Sequence, residues 1–223
     1  LDISEEEEQQ ILELSSSPNV IERLRDSIAP SVWGYEEIKT ALLLQLFSGV
    51  QKRKKDGQIS RGDIHIMMIC DPGVAKSVIL GFMANISPKG RYVVGKSTSG
   101  AGLTASVVRD EYLKGFSLEA GAMVLANKGL VCIDELEKMA EQDQSSMHEA
   151  MEQQTVTINK ANIQATLNAQ TSVLAAANPK FGRFDPNHGI PQQINLPPAL
   201  INRFDIIFTL RDMPSILIDT KVA

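Results

Sequence analysis

Ile64-His65-Ile66-Met67-Met68-Ile69-Cys70-Asp71-Pro72-Gly73-Val74-Ala75-Lys76-Ser77 is the stretch that decides the fold. Its first six residues form a nearly continuous apolar run, as expected of a strand buried on both faces of a parallel sheet. Asp71-Pro72-Gly73 then breaks the run, and residues 77–85 return to helical spacing. A strand that turns directly into a helix aims unpaired backbone N–H groups and the positive end of the helix dipole at one point, which suits a phosphate. Lys76 would reach the β- and γ-phosphates, and the Ser77 hydroxyl would hold Mg²⁺. Asp71, Pro72, Gly73, Val74 and Ala75 would complete the cradle. The generic pattern G-x-x-x-x-G-K-[ST] is not met, because Cys70 and Ala75 stand at its two glycine positions. Taken alone, these residues also fit a plain strand-loop-helix with a surface lysine.

Roughly 60 residues further on, Leu130-Val131-Cys132-Ile133-Asp134-Glu135 is an apolar strand that ends in two carboxylates. Asp134 suits a magnesium site, since hard cations prefer carboxylate oxygen. Glu135 would polarise the attacking water as general base. An apolar-Asp-Glu run alone is an ordinary strand end. Following a phosphate loop and preceding a helix, it completes a P-loop nucleotide site, with ATP and Mg²⁺ as the expected ligands.

Further strands are expected at 91–94, 130–133, 172–177 and 206–210, separated by helices that include 77–85 and 142–154. Strand-helix alternation predicts an α/β fold with a mostly parallel sheet between helices. Before it, residues 5–14 read as a helix with an acidic first turn, and Ser17-Pro18 as an N-cap with proline at the first helical position. A third helix is expected at 36–47. The run Lys52-Arg53-Lys54-Lys55 before Asp56-Gly57 reads as a solvated loop. Thr155–Ile158 and Ile163–Leu167 alternate around the polar turn 159–162, which predicts a β-hairpin. The expected organisation is a helical lead-in over 1–60 and the α/β core over 61–223.

The 223 residues are 43% apolar and only 5% aromatic, so the core must be aliphatic. Net charge is −5 and the pI about 5.3. Contact with nucleic acid would therefore have to be local, on a loop or along a channel. Cys70 and Cys132 sit in apolar runs and suggest neither a disulfide framework nor a zinc site, as expected in a reducing compartment. The start, Leu1-Asp2-Ile3-Ser4 and four glutamates, lacks the form of a secretory leader. No apolar run reaches the roughly 18 residues of a membrane span.

Several longer stretches resemble the MCM family of replicative helicases, ring-forming ATPases of the AAA+ class. They are Asp71-Pro72-Gly73 with Ala75-Lys76-Ser77, Ile133-Asp134-Glu135-Leu136-Glu137-Lys138-Met139, and His148–Val156. Ala176-Ala177-Asn178-Pro179 with Phe181-Gly182-Arg183, and Leu196-Pro197-Pro198 with Asn202-Arg203-Phe204-Asp205, continue the series. Ser27-Ile28-Ala29-Pro30 and Gly100–Ala105 are also similar. The resemblance covers about residues 15–223, in the family's order. Alanine before the Walker A lysine is a trait of this family.

The resemblance implies an AAA+ P-loop core with β-hairpin inserts, acting as the ATP-driven motor of a hexameric ring that moves along and unwinds DNA in replication. Asn178 matches the sensor 1 residue beside the γ-phosphate. Arg203 matches the arginine finger, which acts on a neighbouring subunit's nucleotide. Gln153 and Arg61 match further positions that face that nucleotide. The hairpin 155–167 matches one that enters the channel, where Lys160 would touch the phosphates of a single DNA strand; without the family, an exposed turn lysine is the simpler reading. Residues 99–120, with Arg109-Asp110-Glu111, match a second hairpin insert. Cys70 departs from the family's glycine, and a side chain there is expected to strain the loop and weaken nucleotide binding. The family's helical lid and N-terminal domain would lie outside the chain. The ring partners would be copies or paralogues, in the cytoplasm of an archaeon or the nucleus of a eukaryote, with no membrane involved. Two other readings stay open: another AAA+ machine, such as a transcription-activator or chelatase ATPase, and a ring member that does not hydrolyse ATP.

Overall fold

The computed structural model describes residues 3–110, 115–160, 163–185 and 187–212. Helix α1 (Glu5–Ser15) opens on a capping box: the Ser4 hydroxyl accepts from the Glu7 N–H, and the Glu7 carboxylate accepts from the Ser4 N–H. The proline-led start expected for the next helix is absent. Helix α2 runs Val20–Ser27 with Asn19 at its N-cap. The Ser17 carbonyl accepts from the Val20 N–H at 3.2 Å, so Ser17-Pro18-Asn19-Val20 is a tight turn. Its second position favours proline because the ring presets φ.

Helix α3 (Glu36–Phe47) buries Ile38, Ala41, Leu42 and Leu43 in the same apolar cluster as the central sheet. Strands β1 (Lys52–Arg53) and β2 (Ile59–Ser60) pair into a small hairpin that carries the basic run. Its neck is closed by the Gly49 N–H donating to the Gly62 carbonyl at 2.7 Å. A Cβ at Gly62 would lie 2.1 Å from the Gly49 oxygen, so only glycine fits there.

The core follows as β3 (Ile66–Cys70), α4 (Lys76–Ile86), β4 (Arg91–Val94), α5 (Gly100–Leu103), β5 (Ala105–Asp110) and β6 (Gly115–Ala120). Next come α6 (Ala122–Leu125), β7 (Leu130–Asp134), α7 (Glu141–Gln153), β8 (Thr155–Lys160), β9 (Ile163–Asn168), β10 (Ser172–Ala177), α8 (Pro198–Ile201) and β11 (Ile206–Leu210). Five strands form one sheet in the order β11-β3-β10-β7-β4, and all its neighbours are parallel. The hairpins β5–β6 and β8–β9 stand apart from it as antiparallel pairs, as expected for inserts. Glu111 of the first and the turn residues 161–162 of the second lie outside the described residues.

Strand β3 starts at Ile66 rather than Ile64. The His65 backbone is spent on the approach to β11 instead: its N–H donates to Asp205 Oδ2, and its carbonyl accepts from the Asp205 and Ile206 N–H groups. Along β3, Ile66, Met68 and Cys70 face the layer built by α3 and α4. Met67 and Ile69 face the layer that holds α6, α7 and α8. The same alternation in β7 and β10 leaves both faces buried, which is why these strands read as unbroken apolar runs. Each such Ile, Leu or Met contributes about 1.5–3 kcal/mol when fully buried. From β3 the chain crosses to β4 at the far edge, works back through β7 to β10, and then adds β11 on β3's other side. A sheet of this kind opens its crevice beyond the carboxyl ends of the strands, where connections leave in opposite directions.

Candidate active site

The loop after β3 lies at that crevice. The Asp71 carboxylate, although expected in the phosphate cradle, accepts from the backbone N–H of Phe184 at 2.8 Å and of Asp212 at 2.9 Å. Its side chain therefore pins the loop to two other segments. Gly73 has φ +92°, and a methyl there would meet nothing within 4 Å. The backbone angle alone calls for glycine. Ala75 also adopts a left-handed angle, φ 56° and ψ 21°, as it caps α4. Val74 is buried, while Pro72, Gly73 and Ser77 are exposed. The first turn of α4 leaves its N–H groups without partners inside the helix, directed at the loop's hollow.

Cys70 does not strain this loop. It is the last residue of β3, pairs in register with Leu210, and has no left-handed backbone angle. Its side chain is fully buried in the aliphatic layer, and burial pushes its thiol up to about 12. The unusual backbone angles fall at Gly73 and Ala75 instead.

Four other segments deliver side chains to the same place. The Ser77 hydroxyl donates to Asp134 Oδ2 at 2.6 Å, so the two expected magnesium ligands already touch. Tyr92, from β4, donates to the same oxygen at 3.0 Å. Burial, followed by this bond, pushes the phenol up to about 12. The Lys76 ammonium donates to Asn178 Oδ1, just past β10, and Asn178 Nδ2 donates to Glu137 Oε1 at 2.8 Å. Glu135 has a left-handed backbone angle, φ 55°, and pairs with Lys138 at 2.5 Å. Its carboxylate raises the Lys138 ammonium above the usual lysine range.

This donor set fits a magnesium nucleotide. Among the described residues no group of three or more His, Cys, Asp or Glu could hold a metal. One hydroxyl beside one carboxylate is what Mg²⁺ takes from a protein when phosphate and water supply the rest. Ser77 and Asp134 would hold the ion, and Lys76 and the loop N–H groups the phosphates.

The MCM P-loop domain family matches residues 7–223, nearly the whole chain. The chain belongs to the MCM family. It is 51% identical to the DNA replication licensing factor mcm7 of Schizosaccharomyces pombe, over 96% of this chain and 28% of that protein. It is also 51% identical to the minichromosome maintenance protein MCM of Saccharolobus solfataricus, over 95% of this chain and 31% of that protein. With mcm5 of Xenopus tropicalis it shares 49% identity, over 94% and 28%. The chain spans less than a third of the length of these relatives.

Three other residues expected at MCM sites, Arg61, Gln153 and Arg203, lie at the opposite end of the sheet. Arg203 precedes β11 at the amino-terminal side, and roughly 15 Å of parallel strand separates that level from the phosphate loop. Its in-chain partner is neither Asp205 nor Asp212. Arg203 instead pairs with Glu152 at 3.0 Å and donates through Nε to His148 Nε2 at 3.1 Å. Asp205 serves Arg61, at 2.7 Å. Gln153 is exposed at the end of α7, so Arg61, Gln153 and Arg203 gather at this one end. Lys160 is exposed as the last residue of β8, paired with Ile163 across the hairpin.

Sequence reasoning missed four residues that touch the expected ones: Tyr92, Glu137, His148 and Glu152. Glu137 follows Glu135 by two residues inside a quoted motif. His148 and Glu152 stand four apart, the spacing that puts two side chains on one helix face. Tyr92 carried no such signal.

Proposed function

We propose that this chain is the ATP-hydrolysing motor segment of a ring-shaped MCM DNA helicase. One observation carries the reading: Lys76, Ser77, Asp134, Glu135 and Asn178 converge at one end of the sheet, while Arg61, Gln153 and Arg203 sit at the other. Arg203 cannot serve its own phosphate loop, so its natural place is a neighbour's. No membrane enters this reading; no helix among the described residues is long and apolar enough to cross one.

Bound Mg-ATP would supply the scissile phosphoanhydride and a dication that neutralises charge building on it. Lys76 and the loop N–H groups hold the β- and γ-phosphates. Ser77 and Asp134 orient the metal. Glu135 leaves Lys138 and takes the proton of the attacking water at its carboxylate. Asn178 lines that water up. Arg203 of one subunit stabilises transition-state charge in the next. Lys160 contacts phosphates of a DNA strand in the channel, so that hydrolysis moves the hairpin along it. Ring partners are copies or paralogues, in the cytoplasm of an archaeon or the nucleus of a eukaryote; relatives come from both.

The test uses the full-length protein. Lys76→Ala should abolish hydrolysis, and Glu135→Gln should bind ATP without turning it over. Lys160→Ala should keep ring assembly and basal ATPase but lose unwinding. Normal turnover by Glu135→Gln would remove the general base. Unwinding by Lys160→Ala at the wild-type rate would return that residue to a solvated turn. Single-stranded DNA that leaves ATPase unstimulated would detach hydrolysis from movement along DNA.

A further inference from the structure

Among the described residues Asn178 is the one side-chain amide in the chain of contacts that ends on Lys76, and an amide can be placed two ways round. Its two partners are chemically opposite. The Lys76 ammonium has donors and no acceptor, so it must meet Oδ1. A carboxylate accepts and does not donate, and Glu137 Oε1 meets Nδ2, at 2.8 Å. When Lys76 turns to a phosphate, the first constraint is lost and only Glu137 remains.

Glu137 shows a second sign of a role beyond folding. Its other oxygen, Oε2, is buried and has no hydrogen-bond partner among the described residues. A buried, half-satisfied carboxylate costs stability. A glutamine, of the same size and without the charge, would be the easier residue to fold around. The carboxylate is thus a poor choice for packing and a good one for holding an amide in one orientation.

We propose that Glu137 is a positioning residue: by accepting from Asn178 Nδ2 it keeps Asn178 Oδ1 turned toward the phosphate side of the site after Lys76 has left it. The proposal rests on the reading of Asn178 as the residue that aligns water at the γ-phosphate. A glutamine at 137 can offer either an oxygen or an NH₂ group, so it would let the amide flip and would lose the strength of a charge-assisted bond.

In the full-length protein, Glu137→Gln should lower kcat roughly tenfold or more, the size of one charge-assisted hydrogen bond, with KM within about twofold. Binding gives a readout independent of turnover. Affinity for ADP should stay unchanged, while affinity for ADP–aluminium fluoride, which mimics the transferring phosphoryl group, should fall by a similar factor. Tm should hold or rise. In an Asn178→Ala background the Glu137→Gln change should add nothing further. An unchanged ratio of the two affinities, a lowered Tm with equal loss for both ligands, or a full additional loss beside Asn178→Ala would each overturn the proposal. If the wild-type protein binds ADP and hydrolyses no ATP, the motor reading fails, and the affinity ratio still decides the role of Glu137.

Discussion

The two ends of the central sheet are furnished in opposite ways. At the carboxyl end, donors and acceptors from five segments converge on one hollow, and several are bonded to each other: Ser77 to Asp134, Lys76 to Asn178, Asn178 to Glu137. At the amino end, each arginine carries its own carboxylate, Arg61 with Asp205 and Arg203 with Glu152. In the proposed function the first arrangement receives the nucleotide and the second is lent to a neighbour. The Arg203–Glu152 pair is half-exposed, and pairs open to solvent are worth roughly 0–1 kcal/mol. An arginine acting on a transferring phosphoryl group is worth about 10³–10⁵ in rate. Giving up the pair is therefore cheap beside what the arginine can do across an interface.

The largest effect should come from breaking that division. Arg203→Ala in the assembled full-length protein should cut ATPase activity by about a thousandfold or more. Co-assembled with inactive Lys76→Ala subunits, it should regain activity, because some interfaces then join an intact phosphate loop to an intact Arg203. Full activity of Arg203→Ala, or no rescue in mixed rings, would mean that the two ends do not meet between subunits.

The second prediction sharpens the contrast along one strand. His65, at the amino end of β3, is buried, accepts from the Val173 N–H through Nδ1, and has its pKa pushed by burial from 6.5 down to about 3. The folded imidazole stays neutral where the unfolded one takes a proton. The stability it allows is complete above about 6.5 and is lost as pH falls from there toward 3. Urea midpoints should drop between pH 7.5 and 5, and His65→Asn should flatten that slope. Equal slopes would show that His65 is not the responsible group.

The smallest effects concern the other end of β3. Cys70→Gly should leave nucleotide affinity unchanged and lower stability by about 1–3 kcal/mol, from lost burial and from glycine in a strand. Ala75→Gly should do the reverse, raising Tm by a few degrees, because a left-handed alanine costs roughly 1–2 kcal/mol. Calorimetry on the two variants should give shifts of opposite sign; a matching sign would misplace the strain.

The contrast also explains what the sequence made legible. Strands buried on both faces betray themselves as apolar runs, so 66–70, 130–134 and 172–177 could be read within a residue or two. The candidate-site side chains of the carboxyl end lie next to those runs, which is why Lys76, Ser77, Asp134 and Glu135 stood out. Ser17-Pro18 was ambiguous because the same dipeptide suits a helix start and a turn. Cys70 was misjudged because its backbone angle is set by its register with Leu210, 140 residues away. Glu152 and His148 gain meaning only through Arg203, which α8 brings back to α7 across more than 50 residues. Pairings of that span leave no local pattern.

The common direction of the five strands has a consequence for symmetry. If a site needs the carboxyl end of one molecule and the amino end of another, a repeated head-to-tail contact supplies it, and such a heterologous contact either closes on itself or grows into a filament. A two-fold dimer would complete sites only if both ends lay within one self-complementary patch, so that each end met the partner's opposite end. An isologous dimer that buries only one end of the sheet should therefore be catalytically silent, however tightly it associates.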